Sequence, residues 1–209
     1  DEELGGNASR LEVLIGTRSD WAGLPDIPFP QVAVSPEDDA TIFYTSGTTG
    51  SPKGALGTHR NICTNILSSG YSAARAMLRR GEMPPAVIPH KVGLLVIPLF
   101  HVTACSAALM TGIATGQTIL FMRRWDAELA MGLIEREKVT FTGGVPTIWL
   151  SILQALRSAP SRWDLVPGMR MLVGGSAAPE SLFRGFDEFG LEVGTAWGMT
   201  ETSPLGTVS

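Results

Sequence analysis

From Val92 onward, short β-branched runs alternate with segments of helical period, and this alternation restricts the fold more than any other feature of the chain. Strands are expected at Val92–Pro98, Gln117–Phe121, Val139–Thr142, Arg170–Gly174 and Leu191–Ala196. Helices are expected between and around them at His101–Ala114, Asp126–Lys138, Pro146–Leu156 and Pro179–Phe189. Such βα units imply an α/β protein with a mainly parallel sheet. An earlier run, "ATIFYTS" (Ala40–Ser46), has the character of a buried strand, and a helix follows from about Thr58 to Arg80. Asp126 suits an N-cap, and Pro179 suits a first helical turn, where a missing N–H costs nothing. Ligands of open parallel sheets bind beyond the carboxyl ends of strands. The loops at Ser46, His101, Gly143, Gly174 and Trp197 are expected there.

Ahead of this region, residues 1–39 read as a linker or edge segment: an apolar "LEVLIG" (Leu11–Gly16), then a proline-, aspartate- and glycine-rich stretch from Arg18 to Asp39. The 209 residues suffice for one substantial core. Hydrophobic residues make up 44% and charged residues only 17%, against an ordinary charged share of roughly 25%. That bias, with an opening Asp1 and an end at "PLGTVS", points to a piece of a larger protein. A net charge of -4 gives no general attraction to nucleic acid. The pairs Arg79–Arg80 and Arg123–Arg124 read as solvated helix or loop ends. Cys63 and Cys105 lack metal-like spacing and read as reduced core thiols, which fits a cytoplasmic protein. The longest apolar run, Val92–Phe100, is too short to cross a bilayer, although a peripheral membrane contact is left open.

The stretch Thr45–Gly54, "TSGTTGSPKG", holds five hydroxyl residues, three glycines and one lysine. Glycine lets backbone N–H groups approach an anion closely, the hydroxyls of Thr45, Ser46, Thr48, Thr49 and Ser51 add donors, and Lys53 adds charge. Together they suit a polyphosphate, with a flexible surface turn as the plainer alternative. A Walker loop does not fit, because Pro52 precedes Lys53 and Gly54 follows it.

"YTSGTTGSPKGA" resembles the signature of the adenylate-forming enzymes, which include acyl-CoA synthetases. "PLFHVTA" (Pro98–Ala104), "GGVPT" (Gly143–Thr147), "GGSAAP" (Gly174–Pro179) and "TAWGMTETSP" (Thr195–Pro204) resemble further segments of that family, in its order. The resemblance implies the central part of an acyl-CoA synthetase-like N-terminal domain, with mainly parallel sheets sandwiching helices and residues 40–209 as its AMP-binding core. It implies ATP-dependent activation of a carboxylic acid, then transfer to coenzyme A, with Mg²⁺ as the metal. Carried onto matching positions, Thr45, Ser46, Gly47, Thr48, Thr49, Gly50 and Lys53 would hold the β- and γ-phosphates. Thr200 would bond the α-phosphate and Glu201 would hold Mg²⁺. Ser176, Ala177, Ala178, Pro179, Ala196, Trp197, Gly198 and Met199 would surround the nucleotide, with Trp197 standing where the family commonly has tyrosine. His101 would lie at the mouth of the carboxylate pocket, while His59 and His90 take structural roles. Val102, Thr103, Gly144, Val145, Gly174 and Gly175 would line the acyl tunnel. Those small and apolar residues favour a fatty or aryl acid over an amino acid, and "PLFHVTA" and "GGSAAP" look most like fatty-acyl-CoA ligases.

Other readings compete. "GGSAA" is one residue short of the hydrolase elbow G-x-S-x-G with Ser176 as nucleophile, but all three histidines precede it. A non-catalytic nucleotide-binding fragment is the stronger alternative. Family members are more than twice this long, and the ribose-binding aspartate, the hinge and the C-terminal domain with its catalytic lysine are expected beyond position 209. The chain alone is therefore expected to be weak or inactive. Its truncated sheet would expose apolar surface that favours a homodimer or rearranged packing.

Overall fold

The structure, a computed structural model, describes residues 28, 31–47, 50–87, 89–165 and 169–208. The chain divides into two compact units, Asp1–Val34 and Ser35–Ser209. The Leu11–Gly16 segment and most of the expected linker lie outside the described residues.

The second unit opens with an antiparallel hairpin of β1 (Asp39–Thr45) and β2 (Lys53–Thr58), in which Ile42 pairs with Leu56 and Tyr44 with Gly54. This corrects the expected buried strand at Ala40–Ser46. Alternate side chains of a strand face opposite ways, and Ile42 and Tyr44 are 61% and 74% exposed, as is Leu56 at 57%. The hydroxyl-glycine loop is thus a hairpin turn, and not a loop of the parallel sheet. Helix α1 (His59–Arg79) follows directly. It starts at Thr58, where Asn61 Oδ1 accepts from the Thr58 backbone N–H at 2.8 Å and Thr58 Oγ1 accepts from the Asn61 N–H at 3.3 Å. This reciprocal cap satisfies two donors that a helix start leaves open. Cys63, on α1, is exposed, which corrects its expected place in the core. Arg80 closes the same helix and donates to Glu82 at 2.9 and 3.0 Å, a bond that holds the Glu82 carboxyl below its ordinary pKa.

A second sheet has the strand order β4-β3-β5-β6-β7-β8, with β3 (Val92–Leu95), β4 (Thr118–Phe121), β5 (Phe141–Gly144), β6 (Arg170–Val173), β7 (Val193–Gly198) and β8 (Leu205–Val208). The pairs β3–β4, β3–β5, β5–β6 and β6–β7 are parallel, and only β8 joins antiparallel. The expected α/β class with a mainly parallel sheet is therefore present. Among the described residues the other sheet is the two-stranded hairpin.

Between β3 and β4 the chain forms a π-helix over Thr103–Met110 and then one α turn, α2 (Thr111–Ala114), where a single regular helix was expected. Helices α3 (Ala127–Arg136), α4 (Pro146–Ser158) and α5 (Glu180–Asp187) connect the later strands. On α4, Trp149, Ile152, Leu153 and Leu156 fall at helical spacing and are all buried. They join Ala130, Met131 and Ile134 of α3 and Leu182 and Phe186 of α5 over Leu94, Met171 and Val173 of the sheet. Gly185 lets α5 approach α4, since a Cβ there would overlap Leu153 Cδ2.

Asp126 caps α3 as expected, its Oδ1 accepting from the Leu129 N–H at 2.8 Å. Asp126→Ala should cost about 1 kcal/mol, read as a lower urea midpoint with an unchanged slope. Pro179 is the N-cap of α5 and not part of its first turn, whereas Pro146 does occupy the first turn of α4.

Candidate functional site

Strands β3, β5, β6 and β7 run parallel, so their carboxyl ends share one edge of the sheet. From β3 the chain crosses to β4 on one side, while from β5 it crosses to β6 on the other. That reversal makes the space between the carboxyl ends of β3 and β5 the topological switch point, where such sheets open a crevice. The segments flanking it are the one bearing His101 after β3 and the one bearing Gly144 and Val145 at the end of β5. His101 is exposed, and its Nδ1 accepts the Thr103 backbone N–H at 3.1 Å. In the neutral ring this bond leaves the proton on Nε2. Behind it Val102 and Ala104 are buried, 3% and 0% exposed, and Thr103 is half-buried.

Gly143 and Gly144 complete β5 and are not part of the loop after it. The buried indole of Trp149 ties this end of the strand down: Nε1 donates to Gly144 O and Leu172 O, both at 3.2 Å, bridging β5 and β6. Beyond β6, Gly174 packs so closely that a Cβ would stand 3.0 Å from Ala196 O, and one on Gly175 would stand 3.3 Å from Val145 Cγ1. Gly175 also has φ +78, a conformation that favours glycine. The "GGSAAP" segment therefore touches both the "GGVPT" and the "TAWG" segments. Ser176 and Ala177 are exposed, Ala178 packs against the core, and Pro179 is exposed. Ser176 has no hydrogen bond to a histidine among the described residues, so the hydrolase reading has no triad to stand on.

Trp197 and Gly198 are the last residues of β7, not a loop beyond it, and Trp197 is 59% exposed. Gly206 lies across from it on β8, where a Cβ would come within 2.5 Å of the indole ring. Met199–Pro204 then forms a tight turn. The Met199 N–H donates to Pro204 O and to Thr202 Oγ1, both at 3.0 Å, and the single hydroxyl proton of Thr202 is within reach of two carbonyls, Met199 O at 2.9 Å and Pro204 O. Gly198 seats the turn, because a Cβ on it would overlap Pro204 O. Gly198→Ala should destabilise the protein by about 1–3 kcal/mol through this forced overlap, measured as a fall in thermal midpoint.

Thr200 is half-buried and Glu201 exposed. Both line an open cleft with Ser203, with Val102 and with Phe43 and Leu56 of the hairpin. On the hairpin, Thr45 Oγ1 donates to Lys53 O at 3.4 Å. Gly47 and Gly50 have φ +65 and +82, and a Cβ on Gly47 would overlap Ser51 O. Ser46 and Lys53 are exposed, and Lys53 has no ion pair among the described residues. Thr48 and Thr49 lie outside the described residues. Strand β2 packs against the Thr200–Thr202 turn, but no hydrogen bond joins the hairpin loop to Thr200 or Glu201 among the described residues. His59 and His90 stand apart: the His59 N–H donates to Asp38 O at 3.2 Å, and His90 Nε2 lies 3.0 Å from Thr118 Oγ1.

The donor set in the cleft is oxygen only, with the Glu201 carboxylate free of any ion pair among the described residues and hydroxyls at Thr200 and Ser203. Such a set suits a hard divalent cation such as magnesium and not a soft metal. The residues present fit that group, Glu201 being the carboxylate that lines the cleft.

An α/β sheet with glycines at its strand ends beside a switch point, and a glycine-hydroxyl turn carrying an exposed lysine, is an arrangement suited to a phosphate-bearing ligand. The chain belongs to the AMP-binding enzyme family, whose model matches residues 6–209. It is 36% identical over 162 residues to a long-chain-fatty-acid–CoA ligase of Thermus thermophilus, covering 78% of this chain and 28% of the relative. It is 33% identical over 199 residues to a medium-chain-fatty-acid–CoA ligase of Ectopseudomonas oleovorans, covering 95% of this chain and 33% of the relative. Among solved structures, the o-succinylbenzoate coenzyme A synthetase of Bacillus subtilis in complex with ATP and magnesium ion superposes with a TM-score of 0.68 at 28% identity, covering 86% of this chain and 34% of that one. The chain thus spans about a third of the length of the curated relatives it matches.

Proposed function

We propose that this chain is the nucleotide-handling part of a longer AMP-forming ligase that activates a carboxylic acid with ATP and passes the acyl group to coenzyme A. The observation that carries the reading is the gathering of separate family segments at one edge of the sheet, around the switch point. In the first half-reaction a carboxylate oxygen attacks the α-phosphorus, the bond to the leaving pyrophosphate breaks, and an acyl-adenylate results. In the second, the sulfur of coenzyme A, having lost its proton, attacks the acyl carbon and AMP leaves.

Both reactants of the first step are anions, so the chain's main task is to hold charge and geometry. The turn from Thr45 to Lys53 holds the β- and γ-phosphates with backbone N–H groups, hydroxyls and one ammonium. The Thr200 hydroxyl bonds the α-phosphate, and Glu201 holds magnesium, whose charge when bound offsets that of the phosphates. Ser176, Ala177, Ala178, Pro179, Ala196, Trp197, Gly198 and Met199 enclose the nucleotide, the exposed indole of Trp197 offering a stacking face. His101, whose Nε2 has no hydrogen bond among the described residues, faces the carboxylate end of the acid. Val102, Thr103, Gly144, Val145, Gly174 and Gly175 line the acyl site.

A fatty acid is the proposed substrate, supported by this apolar lining and by likeness to two fatty-acid ligases. An aryl acid is the second reading, supported by likeness to the o-succinylbenzoate enzyme. Calorimetric titration of the chain with a non-hydrolysable fatty-acyl-adenylate, against an aryl-adenylate, separates them: tighter binding of the fatty form is expected, and tighter binding of the aryl form overturns that choice. The chain alone is proposed to turn over weakly or not at all, and ATP–pyrophosphate exchange equal to the full-length protein's would overturn that. A cytoplasmic setting completes the proposal.

A further inference from the structure

We propose that Asn65 is a positioning residue that fixes the Thr200–Glu201 turn to α1, the helix that follows the β1–β2 hairpin; its catalytic consequence rests on the function proposed above. Asn65 is the buried residue of α1, 7% exposed in a helix whose other side chains are exposed or half-buried. A buried amide is costly unless its polar atoms are bonded. Oriented to meet its neighbours, the side-chain amide does bond: Nδ2 donates to Ser203 O at 3.3 Å, and Oδ1 accepts from the Leu205 N–H at 3.2 Å. The amide thus clamps both sides of Pro204, at the base of the turn that presents Thr200 and Glu201.

Ser203, the clamped residue, has φ 62 and ψ 41, a left-handed conformation that non-glycine residues rarely adopt. Bonds inside the turn shape it, but these do not fix where it sits. Asn65 does so from outside. Helix α1 begins at the capped Thr58, the last residue of β2, so the helix continuous with the second strand of the hairpin carries the amide two turns in.

The test compares Asn65→Leu, which keeps size and removes both bonds, with Asn65→Asp, which keeps the acceptor for the Leu205 N–H. Amide hydrogen exchange in the 209-residue chain reads the clamp directly. Asn65→Leu should speed exchange at Leu205 by roughly tenfold or more, while Asn65→Asp retains protection there and the amides within α1 are unaffected in both. In the full-length protein, Asn65→Leu should lower kcat for acid-dependent ATP–pyrophosphate exchange by roughly 10²-fold, the scale of an ångström-sized misplacement. The KM for the acid should change little, and Asn65→Asp should restore part of kcat. Unchanged Leu205 protection in both variants overturns the clamp, and lost protection with unchanged kcat overturns its catalytic role. If Asn65→Leu does not fold, Asn65→Asp decides: protected Leu205 with a partial loss of kcat supports the proposal, and wild-type kcat refutes it. A wild-type full-length protein inactive with every acid and ATP would refute the function proposed above, and Leu205 exchange would still decide the clamp.

Discussion

Glu201→Gln in the full-length protein is expected to lower acid-dependent ATP–pyrophosphate exchange by roughly 10²- to 10³-fold, the range for losing one preorganised charge-stabilising group. Glutamine keeps the size of the side chain and one oxygen acceptor but removes the negative charge. A cation held by one protein carboxylate and hydroxyls then loses most of its electrostatic attraction, and the two reacting anions lose the charge between them. The loss should appear in kcat and in a raised magnesium requirement, with little change in the KM for the acid. Stability should move by no more than about 0.5 kcal/mol, because Glu201 is exposed and free of ion pairs among the described residues. Exchange at the wild-type rate with an unchanged magnesium requirement would remove Glu201 from the site.

Trp149→Ala should destabilise the protein by about 3–5 kcal/mol, the range for truncating a fully buried aromatic. The indole is 0% exposed and packs edge-to-face on Phe186, with ring centroids 6.1 Å apart. Its N–H also bridges the carboxyl ends of β5 and β6. Trp149→Phe separates the two contributions, since phenylalanine keeps most of the packing and loses only the bridge. It should cost about 1 kcal/mol by loss of hydrogen bonding, plus the smaller ring's void. Urea unfolding of the three proteins measures both. A loss below about 1 kcal/mol for Trp149→Ala would mean that the site collapses around the missing ring, and that the β5–β6 edge does not depend on it. A substantial loss of stability in an intact, folded Trp149→Phe would place the weight on the bridge.

Helix positions are legible in the sequence where local signals set them. Asp126 before an apolar helical period marks the start of α3, and Trp149, Ile152, Leu153 and Leu156 mark the buried face of α4. These signals act over a few residues, through side-chain oxygens meeting open N–H groups and through the 3.6-residue period. Strand β2 escapes sequence reasoning because "KGALGT" has two glycines and no alternation of its own. It becomes a strand by pairing with β1. Strand β8 escapes it for the same reason: "LGTV" is held by β7, and its glycine is required by Trp197 from across the sheet. Ile42 and Tyr44 read as buried because their chemistry is apolar, and composition carries no information about what covers a face.

By itself, the sequence determined the α/β class, the parallel core of the sheet and the family, since these rest on periodicity and on ordered motifs whose residue types follow from the chemistry of phosphate and metal. Only the tertiary structure decided that the hydroxyl-glycine loop is a hairpin turn, that the switch point lies between β3 and β5, and that Asn65 and Trp149 meet backbone groups of other segments. Those features depend on backbone partners up to 140 residues distant in the chain, and an isolated asparagine or tryptophan in a helix carries no local mark of the carbonyl it will meet.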